Sequence, residues 1–236
     1  MKKMALMDEF QEERDRIKNA PLKAKLKYFA DYYLLKTLII LAVVVLVIGL
    51  VITVVTKKEC VLYVSLADFT DIGLSESEIR KPFTQLYVAD PKKEEIILDC
   101  TLQSDVSRAE SSEPAAYGVS VEDETRMTMM MASHDVDLLI AGTDIIDKYG
   151  ENGFLKPLKE TYSAAELEAF DEAGRLYYIN EEAVALKLEG AKLLWENYVY
   201  VGPGRDQAEI YAAFPYGEHT DMALVFVDFL QGKQQQ

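Results

Sequence analysis

"HDVDLLIAGTD", residues 134–144, sets the fold class of this chain. Its Val, Leu and Ile run has the content of a strand buried on both faces, and it passes directly into Gly142, Thr143 and Asp144, a turn that can open a helix. Two upstream stretches share this character: "ECVLYVSL" (59–66) and "EIILDCTL" (95–102). Between them "SESEIRKPFTQLYV" reads as a helix with a capping box, Ser75 with Glu78. Between the second strand and the third, "VEDETRMTMMMASH" is also helical in character. Strand, helix, strand, helix, strand is the order of a parallel α/β sheet, so the expected fold class is α/β with a mostly parallel sheet.

Downstream the pattern is less regular. "SAAELEAFDEA" offers a second capping box, Ser163 with Glu166; "RLYYIN" and "AVALKL" read as strands and "GAKLLWEN" as a short helix. "YVYV" and "AEIYAAF" flank Gly202–Gln207, which predicts a hairpin. "HTDMALVFVDFLQG" places Met222, Phe226 and Phe229 or Leu230 on one face of a helix that can return over the sheet, with Gly232 at its end. Residues 103–119 carry no pattern and read as a long loop.

Charge divides the chain. Residues 1–36 hold nine Lys/Arg against six Asp/Glu, while residues 57–236 hold sixteen against thirty-four. Between them "TLIILAVVVLVIGLVITVVT", residues 37–56, is twenty residues without a charge, and as a helix it would span about 30 Å, the hydrocarbon thickness of a bilayer. A cleaved signal peptide fits less well, because the run starts late, is long, and is followed by "TKKEC" rather than small residues. The expected organisation is a cytoplasmic helical arm (1–36), a transmembrane helix (37–56) and an extracytoplasmic α/β domain (57–236). Lys23, Lys25, Lys27 and Lys36 hold the N-terminus on the cytoplasmic side of the cell membrane; Lys57 and Lys58 argue the other way but are only two.

In the arm, Pro21 stands near a helix start, and Leu22, Leu26, Phe29 and Tyr33 form one apolar stripe beside the lysines. Lys23, Lys27, Tyr28, Tyr32, Tyr33 and Lys36 are therefore the expected membrane-interface residues, with the lipid bilayer as partner. Docking to anionic lipid or to another membrane protein is the alternative use of the same surface. Further upstream, Glu12 and Arg16 sit at helical spacing.

A family resemblance accompanies these patterns. "MMMASHDVDLLIAGTDIIDKYGENGFLKPLKE" resembles the segment of type II extracytoplasmic solute-binding proteins in which a helix leads into a buried strand, a helix and a Gly-Leu-Pro-Leu run, here Gly153, Leu155, Pro157 and Leu158. "AAFPYGEHTDMALVFVDFL" is similar to that family's late strand and C-terminal helix, through His219, Ala223, Phe226 and Leu230. "KYFADYYLLKTLII" with this domain is similar to uncharacterised single-span membrane proteins of Gram-positive anaerobes. Two-lobed binding proteins need more chain than residues 57–236 supply, so the resemblance implies one lobe and carries no transport function with it.

In an open α/β sheet, ligands sit beyond the carboxyl ends of the strands. Those ends are Asp68, Phe69 and Thr70, then Gln103 and Ser104, then Gly142, Thr143 and Asp144. Asp68, Thr70, Gln103, Ser104, Thr143 and Asp144 are the candidate ligand residues, suited to a small polar or cationic molecule. Asp144 and Thr143 read equally as helix caps, and capping is the plainer explanation. His134 and His219 each have carboxylates close by, but no metal-ligand spacing supports a metal, and no nucleophile elbow supports hydrolysis. Cys60 and Cys100 fall on the first two strands and are open to a disulfide or to two buried thiols. Met127, Met129, Met130 and Met131 read as core filling or as a soft-metal lining. The expected protein is a membrane-anchored, non-enzymatic domain without cofactor, which binds a protein partner or small ligand and no nucleic acid. A solute receptor for a transporter is the alternative, and a surface hydrolase a remote third.

Overall fold

The computed structural model describes residues 21–103, 120–203 and 208–233. The Glu12–Arg16 spacing, Ser104, most of the loop 103–119 and the loop 204–207 lie outside the described residues. The chain divides into two compact units, Met1–Lys57 and Lys58–Gln236.

In the first unit, α1 (Leu22–Tyr32) starts after Pro21, where a missing N–H leaves no bond unmade. Leu22, Leu26, Phe29 and Tyr33 are all exposed, and so are Lys23, Lys27 and Lys36. The side chains of Tyr28 and Tyr32 lie outside the described residues. The helix breaks at Tyr33 (φ −120°), whose ring stacks on Phe29 at 6.2 Å and carries Lys36 Nζ 5.9 Å above it. α2 (Leu34–Thr56) follows, 23 residues long; over Leu34–Val51 its mean hydropathy is 3.0 and no residue is buried. It is the one helix among the described residues long and apolar enough to cross a membrane, and a signal sequence shares those properties.

The second unit is a six-stranded sheet covered on both faces. Its strands are β1 (Glu59–Leu66), β3 (Glu94–Asp99), β4 (Leu138–Ala141), β5 (Leu176–Ile179), β6 (Glu182–Lys187) and β8 (Tyr211–Ala213), in the spatial order β3-β1-β4-β8-β6-β5. β1 pairs in parallel with β3 and with β4, but β4–β8, β8–β6 and β6–β5 are antiparallel. The sheet is therefore mixed and not mostly parallel. Part of the reason is local: β5 and β6 are joined through Asn180 and Glu181, both at positive φ (49° and 69°), the geometry of a tight hairpin turn.

Side-chain alternation explains why β1 and β4 look apolar throughout. Leu62, Val64, Leu66, Leu138 and Ile140 enter one core with α3 (Lys81–Tyr87) and α8 (Thr220–Leu230), through Phe83, Phe226 and Leu230. Tyr63, Ala67, Leu139 and Ala141 enter a second core under α4 (Ser120–Ala132) and α5 (Thr143–Glu151). Met127 and Met131 are 2% and 3% exposed in that second core, while Met129 is 65% exposed, so the buried methionines fill space between helix and sheet.

Two further expectations are corrected, and one alternative left open is decided. The Ser75–Glu78 capping box does not form: Asp71 accepts the Ser75 hydroxyl and the Gly73 N–H (2.6 Å), and Glu78 instead accepts from Asn197 Nδ2 at 3.3 Å. Ser75 takes helical dihedrals (φ −57°, ψ −34°) instead of the extended ones of an N-cap, and the Glu78 N–H donates to Leu74 O (3.0 Å), so the helix starts as a π-turn (Glu76–Arg80) running into α3. The Ser163–Glu166 box does form, capping α6 (Ala164–Glu172), with Ser163 N–H donating to Glu166 at 2.8 Å. The hairpin about residues 202–207 is absent as well. β7 (Tyr198–Tyr200), which follows α7 (Lys192–Asn197), pairs antiparallel with β2 (Phe69–Asp71) as a separate ribbon, while β8 joins the main sheet. Burial of Tyr198 and Tyr200 against Phe69, with ring centroids 6.4 and 5.2 Å away, holds β7 on β2.

Of the two alternatives open for the cysteines, the structure has Cys60 and Cys100 as free, half-buried thiols. In the parallel register Cys60 stands beside Glu95, and Cys100 follows Asp99, the partner of Ser65. Five residues of strand, roughly 17 Å, separate their levels, against the ~7 Å limit on Cα separation for a disulfide. Cys60 lies near the start of β1, whereas Cys100 lies just past the far end of β3. Burial pushes both thiols up, Cys100 to about 12, with the charge of Asp71 adding to it there.

Candidate functional site: the rim beyond β1 and β4

Asp68 sits where three segments meet. Its N–H donates to Leu102 O (2.8 Å), its carbonyl accepts from Val201 N–H (2.7 Å), and the preceding Ala67 N–H donates to Ile140 O (2.9 Å). These bonds hold Asp68 in the left-handed region (φ 59°) with none of its surface exposed. Asp144 lies in the first turn of α5, whose N-cap is Gly142 and which has no side-chain cap hydrogen bond. Thr143 is the first helical residue, so neither Thr143 nor Asp144 caps the helix in the expected way. Burial pushes the Asp144 carboxyl up, the charge of Asp68 adds to this, and backbone N–H groups of the same turn pull it the other way.

Sequence reasoning did not find the third member, Tyr200. A Cβ on Gly142 would collide with the Tyr200 hydroxyl and would lie 3.1 Å from Asp144 Oδ1; a Cβ on Gly202 would collide with the Tyr200 ring and lie 2.9 Å from Asp68 Cβ. The phenol thus occupies the space that two glycines leave between Asp68 and Asp144. Burial pushes its pKa up, and the charges of Asp144 and then Asp68 push it further. The alternation in "YVYV", with Tyr198 and Tyr200 on one face, was the available signal for a buried aromatic edge.

The remaining candidates are dispersed. Thr70 is exposed on β2, opposite Val199 and turned away from Phe69 and Tyr200. Gln103 is half-buried after Leu102. Near this edge Asp99 is taken up internally: Tyr63 and Thr101 donate to it and Arg126 stands 3.0 Å away. Burial opposes its ionisation, but these donors and the guanidinium outweigh burial and hold it below the ordinary carboxylate range.

At the opposite end of β4, the two histidines do not share one site. His134 lies against the Tyr216 ring at 6.2 Å, whereas His219 Nδ1 is 3.5 Å from Asp137 Oδ2. Asp137 is buried and accepts the backbone N–H groups of Tyr63 (2.9 Å) and His219 (2.8 Å), which makes it a clamp between β1, β4 and the loop before α8. Lys156 reinforces that loop through Thr220 Oγ1 at 2.8 Å. Among the described residues no group of three or more His, Cys, Asp or Glu is placed to hold a metal ion.

Chemically, the rim brings two carboxylates and a phenol together, with Asp68 and Tyr200 buried and Asp144 exposed. No protein-family model, curated protein or solved structure matches the chain.

Proposed function

We propose that this is a single-pass membrane protein whose N-terminal arm stays in the cytoplasm. Its acidic α/β domain stands outside and binds a protein partner or small ligand without catalysis, as a scaffold or accessory module. The observation that carries this reading is α2, 23 residues with no polar face and no buried residue across Leu34–Val51. In water such a helix would expose a continuous apolar cylinder that none of the described residues of its own unit covers. The basic residues before it favour the cytoplasmic side for the arm. Protein contact is supported by Ile72, Trp195 and Val199, which are 51%, 45% and 50% exposed on and beside the β2–β7 ribbon. Protease added to intact cells is expected to digest the domain, and alkaline carbonate to leave the chain in the membrane pellet. A domain protected on intact cells, or a chain released by carbonate, overturns the reading.

The second reading, a receptor for a solute transporter with the fold of one solute-binding lobe, is favoured by one observation, the meeting of Asp68, Asp144 and Tyr200 at the strand ends. A metabolite that raises the melting temperature of the native chain but not of Asp144→Ala would establish it. No shift across a panel of amines, amino acids and sugars would leave the protein-contact reading standing.

A further inference from the structure

We infer that α1 is an in-plane amphipathic helix, docked along the cytoplasmic leaflet of the membrane that carries the protein and drawn to its anionic phospholipid headgroups. The inference rests on the membrane-anchor reading of α2 and gives the arm an orientation and a lipid class.

Length comes first. α2 supplies 23 residues, about 34 Å of helix, which already fills a hydrocarbon core of roughly 30 Å. The 11 residues of α1 add about 16 Å beyond it. Run on straight as one rod, they would carry Leu22 and Leu26, 79% and 67% exposed, out into water. The helix is instead interrupted at Tyr33, whose φ of −120° leaves the helical range. An interruption one residue before the apolar helix lets α1 turn aside and lie along the leaflet.

The faces of α1 fit that surface. Leu22, Leu26, Phe29 and Tyr33 fall on one stripe, every one of them exposed, and an interfacial helix sinks such a stripe about 5–10 Å below the headgroups. The stack of Phe29 on Tyr33, with Lys36 Nζ over the Tyr33 ring, sets aromatic rings and a cation at the junction of the two helices, the level of the headgroups.

Charge selects the lipid. Residues 21–36 carry four lysines against one carboxylate, Asp31. Lys23 and Lys27 flank the stripe, both are exposed, and among the described residues neither takes part in an ion pair. Their stems can rest on the apolar surface while the ammonium groups reach the phosphates. Each lysine held at an anionic leaflet favours contact roughly fivefold, whereas a neutral leaflet rewards the apolar stripe alone.

Hydrogen exchange of the full chain in vesicles, read by mass spectrometry, tests this. Amides of residues 22–33 are expected to exchange about fivefold or more slowly with phosphatidylglycerol present than in phosphatidylcholine alone. The Lys23→Gln/Lys27→Gln chain should lower that ratio by roughly fivefold for each lysine removed. The Leu22→Ser/Leu26→Ser chain should lose the slow exchange in both lipids, while residues 37–56 stay protected throughout. Equal exchange of the unaltered chain in the two lipids overturns the docked helix, and so does a lipid effect undiminished by either double substitution. Slow exchange of residues 22–33 in native membranes but in neither vesicle would mean that a protein covers the stripe, and also overturns it. In each of these cases protected residues 37–56 uphold the anchor. Free exchange across residues 37–56 overturns both.

Discussion

Tyr200 depends on what Gly142 and Gly202 lack. Gly142→Ala puts a methyl group where the phenol oxygen sits, and overpacking of this kind costs about 1–3 kcal/mol. Tyr200→Phe removes that oxygen, so the alanine is expected to cost distinctly less when the two substitutions are combined. A double-mutant cycle by urea unfolding checks this, and additive costs would contradict the geometry. Asp144 lends itself to a pH experiment. Its carboxyl is raised above its ordinary value by burial and by Asp68, so the folded state favours its protonated form. That contribution is complete below the unfolded value and is lost as pH rises through the folded one. Asp144→Asn is therefore expected to raise the melting temperature at pH 7, with the gain disappearing below about pH 4. Because the group is partly exposed, the rise should stay under the 2–4 °C that roughly one kcal/mol gives in a domain of this size.

At the level of elements, the β5–β6 turn holds Glu181 at φ 69°, a conformation that costs a non-glycine residue about 1–2 kcal/mol. Glu181→Gly is expected to stabilise the domain by about 1 kcal/mol, read as a higher urea midpoint. Strands β1, β3 and β4, with the helices between and after them, were legible because each is a contiguous apolar run bounded by turn chemistry. The direction of β8 was not. "AEIYAAF" fits either strand sense, and its place between β4 and β6 comes from Ala212 and Ala213, small enough to pack between neighbours on both sides. The Ser75 box misled because Ser75 is itself helical and Leu74 O takes the Glu78 N–H that the box needs. Asp68, Gly142 and Asp144 were legible as a rim, since strand ends follow from strand runs. Tyr200 was not, because it arrives through pairing of β2 with β7 across most of the domain's length.

For the whole molecule, the division at Lys57–Lys58 predicts that the apolar helix α2 and the sheet domain are separable. A chain lacking residues 37–56 is expected to appear in the soluble fraction with the domain's melting temperature unchanged. A lowered melting temperature would mean that the domain draws stability from the helix or its membrane. The two cores on either face of the sheet are built from residues after Glu59, which is the physical ground for that independence.

The β2–β7 ribbon also sets an order on biosynthesis. Its strands come from opposite halves of the domain, and closing so long a loop is deferred until other contacts have formed. While the polypeptide is still emerging, β1, β3 and β4 can align, but Phe69 waits uncovered until the segment bearing Tyr198 and Tyr200 has left the ribosome. A nascent product halted before that point would display a greasy, unfinished edge, the kind of surface that chaperones and quality-control proteases engage.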